Sequence, residues 1–208
     1  MTWLDKFAEN IERLAGAATK EKVMAGSEKI AFTSNALERA KWIGEAVARL
    51  DELVDYETRR RVMISCSDKF PKTRIRLLRS EYKKTGSIDK LLETMSKDNS
   101  WFGLSFYEYP TREGNVIHVT KIPYDPIRYQ AATNATEKRY NYCHCALVKE
   151  LIKTADQKIS PTYCCCGAGW YDSLWEGILG KPVRVEVLQS VLQGDDCCEF
   201  AIHLPHDL

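Results

Sequence analysis

The chain has 208 residues, enough for one large domain or two small ones around a buried core. Its 44% hydrophobic and 28% charged residues exclude a disordered or fibrous chain, and its longest charge-free run, the 13 residues from Ile159 to Tyr171, is too short for a membrane-spanning helix of about 20 residues. The net charge of +1 gives no general drive toward nucleic acid, since residues 1–100 carry 20 basic and 16 acidic side chains and residues 101–208 carry 10 and 13.

Residues 1–100 read as a helical region. Trp3, Leu4, Phe7, Ile11 and Leu14 recur at helical spacing and stop near Gly16. Asn35, followed three residues on by Glu38, predicts the cap of a second helix with Leu37, Ala40, Ile43, Val47 and Leu50 inward. Asp55 predicts a third through Met63 and Ile64. Pro71 and Gly86 bracket a fourth, and Ser87 starts a fifth with Ile88, Leu91, Leu92 and Met95 inward. The stretch Arg59 to Lys84 carries ten basic residues against Asp68 and Glu81, which reads first as a solvated face and second as a docking surface for a partner.

After residue 100 the period changes. Trp101 to Tyr109 is aromatic-rich and reads as a strand, Gly114-Asn115 as a turn, and Val116 to Ile122 as a second strand. Tyr140, Tyr142 and Cys143 suggest a third extended piece leading into a helix over Ala146 to Thr154. Pro161 to Gly167 reads as a cysteine-rich loop and Gly169 to Leu179 as a helix. Val183, Val185 and Val187 alternate as a strand, Gly194-Asp195 turns, and a last strand places Cys198, Phe200, Ile202 and Leu204 on one face.

Seven of the eight cysteines lie between 143 and 198. The opening Met-Thr-Trp-Leu-Asp-Lys lacks a secretion signal, so a cytoplasmic chain with reduced thiols is expected. Cys143-x-Cys145 and Cys164-x-Cys166, with Cys198, form a candidate thiolate set for zinc, which takes four tetrahedral ligands. A shared metal requires a kink at Cys143–Cys145, because residues two apart on a flat strand stand about 6.6 Å apart. Plain burial of the thiols and thiol redox or nucleophilic chemistry are the alternatives. Trp101, Phe106, Tyr142, Trp170 and Trp175 are candidates for the wall of an apolar pocket, or for the core. Glu176 reads as a possible general acid or a solvated helix residue, and His144 and His203 as surface histidines.

The segment GWYDSLWEGILGKPVRVEVLQSVLQGDDCCEFAIHLP, residues 169–205, resembles the end of the 4-vinyl-reductase, or hydrocarbon-binding, domain superfamily. It is also similar to the end of the aminothiazoline-carboxylate hydrolase-like family, which shares a Gly-Asp-x-x-Cys-x-Phe hairpin. Tyr-Cys-His-Cys at 142–145 and Cys-Cys-Cys-Gly at 164–167 are similar to a subgroup of uncharacterised bacterial proteins of this kind. The resemblance implies an α+β fold: a helical region, 1–100, packed on an antiparallel-sheet domain, 101–208, that encloses a small apolar ligand. It also implies a structural zinc and a homodimer. Only Cys198 matches the family's zinc cysteines; Val187 and Ser190 fall where the other two would stand, so a metal here would have to draw on Cys143, Cys145 and the Cys164–Cys166 run. The expected function is binding of a small apolar or aromatic molecule, with a small-molecule hydrolase or a thiol redox enzyme as the rival.

Overall fold

Side-chain caps set where most of the longer helices begin. The computed structural model describes residues 2–30, 35–154 and 159–206. Thr2 and Asp5 form a reciprocal capping box ahead of α1 (Trp3–Ala15), which Gly16 ends at φ 89°. The short α2 (Ala17–Val23) and α3 (Ser27–Ile30) follow; with seven and four residues they are too brief to show a period in sequence. Asn35 accepts from the N–H groups of Leu37 and Glu38 and starts α4 (Ala36–Leu53), and Asp55 accepts from Thr58 N–H at the start of α5 (Tyr56–Cys66). Pro71 precedes α6 (Lys72–Thr85), left-handed Gly86 closes it, and Ser87 caps α7 (Ile88–Ser96). The five predicted helices are all present.

The predicted strand over Trp101–Tyr109 is not formed. Trp101 and Leu104 make an isolated bridge, and the chain turns repeatedly, with Phe102, Glu108 and Tyr109 in the left-handed region. Three contacts hold it there. Phe106 N–H donates to Asp98 O at 2.8 Å, Ser105 Oγ donates to Met95 O at 3.2 Å, and Arg74 reaches Asp98 and Ser100. The Arg74 guanidinium also lies 3.7 Å from the centre of the Phe106 ring. The aromatics of this segment serve packing rather than strand pairing.

A hairpin on Gly114-Asn115 joins β1 (Thr111–Glu113) to β2 (Val116–Thr120). Then come α8 (Pro126–Ala131) and α9 (Ala135–Tyr142), capped by Asp125 and Asn134. Tyr140 and Tyr142 therefore lie in a helix, not in the extended piece predicted. The helix expected over Ala146–Thr154 is instead a 3-10 turn, Lys149–Lys153. The cysteine-rich stretch forms a second 3-10 turn, Pro161–Cys164, that runs directly into α10 (Cys165–Leu179). So α10 starts four residues before the predicted Gly169. Within this helix Gly169 serves close contact: a Cβ there would stand 2.4 Å from Ile64 O of α5. The last two strands, β3 (Arg184–Gln189) and β4 (Glu199–His203), complete a four-stranded antiparallel sheet of order β1-β2-β4-β3. Ile117, Ile202 and Val185 face one another across it.

The architecture is mixed helix and sheet, with the sheet in the C-terminal half. Two main clusters form the interior. One packs α6, α7 and α10 on the sheet through Leu78, Leu91, Met95, Trp175, Phe200 and Ile202. The other packs α1, α4 and α5 against the 145–165 region through Phe7, Ile11, Ile43, Met63, Leu151 and Tyr163. Each takes residues from both sides of residue 100, because every amphipathic element must bury its apolar face against another. Among the described residues no helix is long and apolar enough to cross a membrane.

Candidate functional site

Where α1, the 101–108 turns, the 144–147 segment and the start of α10 meet, they leave a cavity of about 550 Å³. Trp3, Trp101, Phe106, Leu147 and Trp170 make its apolar wall, and Lys6, Asp68, Glu108, Lys121, His144, Cys145 and Cys166 its polar part. This is the size and mixture typical of small-molecule pockets. Trp170 is placed by α10 and packs on Phe70 in a tilted pair, 4.6 Å between ring centres, while Phe70 meets Phe106 edge-on at 5.8 Å. Trp3 stacks on Phe7 at 4.9 Å, which fixes the indole on the α1 side. Arg74, a member of the basic stretch, thus works from within: it anchors the turns that carry Trp101 and Phe106.

The polar end is built by Glu108 and Lys121. Glu108 stands at φ 63°, followed by Tyr109 at φ 50°. Such conformations cost energy for non-glycine residues and persist where surroundings enforce them. The carboxylate accepts the Tyr171 hydroxyl on Oε2, and Oε1 lies 3.8 Å from Lys121 Nζ. Lys121, next after β2, is fixed through its backbone N–H to Cys198 O at 2.9 Å, and its ammonium stands 5.1 Å from the Tyr171 ring centre. Burial, together with the Glu108 carboxylate, pushes the Tyr171 hydroxyl well above its ordinary pKa, so it remains a donor.

His144 lies at the cavity wall, a correction to the surface position expected for it. Its Nε2 is 2.7 Å from Ile122 O, and burial pushes the imidazole down to about 4. It is therefore neutral at physiological pH, with Nε2 donating and Nδ1 free to accept. His203 does lie outside, 2.9 Å from Glu186. Glu176 is exposed on α10, as a solvated helix residue. Trp175 is fully buried in the core, and Tyr142 is buried with its hydroxyl donating to Lys121 O; neither lines the cavity. Of the five predicted wall aromatics, Trp101, Phe106 and Trp170 come together. Trp3, Glu108 and Lys121 were missed. Trp3 had the signal of a core stripe, and the other two had none.

The candidate thiols divide. Cys145 and Cys166 reach the cavity wall, whereas Cys143, Cys164 and Cys198 pack elsewhere. Cys143 Sγ accepts Cys145 N–H at 3.4 Å, and Cys164 Sγ is 3.0 Å from Ser190 Oγ. Among the described residues no three His, Cys, Asp or Glu side chains gather as a set able to hold a metal ion. The zinc that the resemblance implied therefore has no support from a ligand set among the described residues. Burial pushes the Cys166 thiol up to about 12 and the Cys198 thiol up to about 11. The hydrogen bond to Cys143, with burial, holds Cys145 well above its ordinary value. Protonated thiols of this kind are poor nucleophiles.

A second, more polar groove of about 620 Å³ lies beside β3, between Asp51, Tyr56 and Arg59 on one side and Glu186 to Ser190 on the other. Its charged groups already have partners: Arg59 Nε is 3.3 Å from Asp51 Oδ1, Thr162 Oγ1 donates to Asp51 at 2.7 Å, and Asp195 accepts Ser190 N–H at 2.8 Å.

The fold and cavity define a mixed helix-and-sheet protein with an aromatic-walled pocket that an ion pair, Glu108–Lys121, also lines. A family model described as a family of unknown function, DUF6144, matches residues 130–207. That segment supplies His144, Cys145, Cys166 and Trp170 to the cavity. No curated protein matches the chain, and no solved structure does.

Proposed function

We propose that this protein binds a small, largely apolar or aromatic molecule in the cavity between α1, the 101–108 turns and α10. The observation that carries this reading is the convergence of Trp3, Trp101, Phe106 and Trp170, from three separate parts of the chain, on one space of about 550 Å³. Half-buried aromatic side chains, held on one side by the core, offer a ligand large contact area at little cost in conformational freedom. The likeness of residues 169–205 to hydrocarbon-binding domains supports the same reading. The rival, a thiol-dependent enzyme, is less well supported: both cysteines on the wall are held protonated, while a thiol nucleophile needs its thiolate.

A thermal-shift survey of small aromatic compounds tests this. A ligand that binds only the folded chain raises the melting temperature by mass action. The expected result is a set of stabilising compounds whose shift is lost in Trp170→Ala and kept in Leu188→Ala, an exposed position outside this cavity. A shift unchanged in Trp170→Ala would place the ligand elsewhere.

A further inference from the structure

The polar end of the cavity has a feature its aromatic wall does not explain. Glu108 and Lys121 are nearly enclosed, with side chains 11% and 12% exposed. Glu108 Oε2 is occupied by the Tyr171 hydroxyl. Oε1 and the Lys121 ammonium are 3.8 Å apart, beyond hydrogen-bond distance, and among the described residues neither atom has a hydrogen-bond partner. An acceptor and a donor, both largely buried but still in touch with solvent, thus face the same gap, and a ligand that displaces that solvent has to replace its hydrogen bonds.

An atom placed in that gap can touch both groups. A hydroxyl oxygen about 2.8 Å from each, the usual length of such bonds, would accept from Nζ and donate to Oε1. Charge then limits what the atom can belong to. The pair is neutral as a unit. Lys6 at the rim is matched by Asp68 at 2.8 Å. A carboxylate ligand would stand against Glu108 and an amine against Lys121, each adding an uncompensated charge to a largely buried pair.

We infer that the cavity selects an uncharged molecule with an apolar or aromatic body and a head that both donates and accepts a hydrogen bond, an alcohol or a primary amide, seated between Glu108 and Lys121. This rests on the cavity being a small-molecule site, and it adds the chemistry of the head.

Five probes with one bicyclic body separate the two claims: methylnaphthalene, naphthalenemethanol, naphthamide, naphthoate and naphthylmethylamine, titrated calorimetrically at neutral pH. The alcohol and the amide should bind at least about tenfold more tightly than the other three, the scale set by leaving one buried polar group unmet. Glu108→Gln should then raise naphthoate affinity by removing the opposing carboxylate, with the alcohol changed far less. Equal affinities for all five would keep the cavity reading and end the inference about the head, the gap then belonging to solvent. Tightest binding by naphthoate or by the amine would overturn it, because one charge of the pair would dominate. Binding by none would overturn both.

Discussion

Asp172 shows how far burial can move one side chain from its ordinary chemistry. It lies on α10 one turn before Glu176. Burial, with the Glu176 charge, raises its carboxyl to about 6 against the nearby Lys69 and Arg60. The folded state therefore binds more protons than the unfolded state between about pH 4 and pH 6, and stability falls as pH rises through that window. Above pH 6 the whole penalty is present. Asp172→Asn should then stabilise the protein at pH 7 by about 1 kcal/mol, after discount for its partial contact with solvent, and give no gain near pH 4. Denaturant titrations at the two pH values check this; a gain of equal size at both would mean that packing, not charge, is responsible. His144 is the opposite case. Its folded-state pKa of about 4 is below the unfolded value, so its contribution is lost as pH falls below about 6.5.

At the level of elements, α10 decides the geometry of the cavity, because it carries Trp170 and passes between the two core clusters. Its approach to α5 depends on Gly169. A methyl group there would meet the Ile64 carbonyl oxygen at 2.4 Å and Ser67 Cβ at 2.7 Å, and a backbone atom cannot swing aside as a side-chain tip can. Gly169→Ala should cost about 1–3 kcal/mol by overpacking, despite the better helix propensity of alanine. Gly167→Ala meets only the edge of the Phe200 ring at 3.2 Å and should cost less. Chemical denaturation of the two variants gives the comparison, and equal stability would show that α10 can shift away from α5. The β3 strand, by contrast, ends the sheet on a free edge and is bent by an irregularity between Val187 and Gln189, a common way to blunt an exposed strand.

For the whole molecule, the change of pattern at residue 100 suggests two modules, but the packing does not separate them. Leu78, Leu91 and Met95 pack with Trp175, Phe200 and Ile202, and Phe7, Ile11 and Ile43 pack with Leu151 and Tyr163. Cutting the chain near Ser100 would bare both sets. The fragment 101–208 should therefore lack a cooperative thermal transition and expose apolar surface that binds a hydrophobic dye. A sharp transition matching that of the full chain would show that the C-terminal half folds alone.

Local chemistry was enough to read five of the seven helices described in the first half, all but the short α2 and α3. Asn35, Asp55, Gly86 and Ser87 act on backbone groups within four residues of themselves, so their effect is written in the sequence next to them. The alternation of Val185 and Val187, the Gly114-Asn115 turn, and the aromatics Trp101, Phe106 and Trp170 could be read in the same way. Tertiary structure alone decided the rest. The 101–109 segment has strand-forming residues but turns, because Arg74 and Asp98 claim its polar groups and Phe70 its rings. The stretch up to Gly167 reads as a loop but its end lies in a helix, in which Gly169 leaves the space α5 needs and Gly167 the space of the Phe200 ring. Trp170 and Trp175 are both aromatic and five residues apart on α10, yet one lines the cavity and the other fills the core; the difference is the direction each faces once the helix has docked. Glu108 and Lys121 carry no local mark at all: one follows a chain of turns and the other a strand, and only the packed fold brings their charges within 3.8 Å.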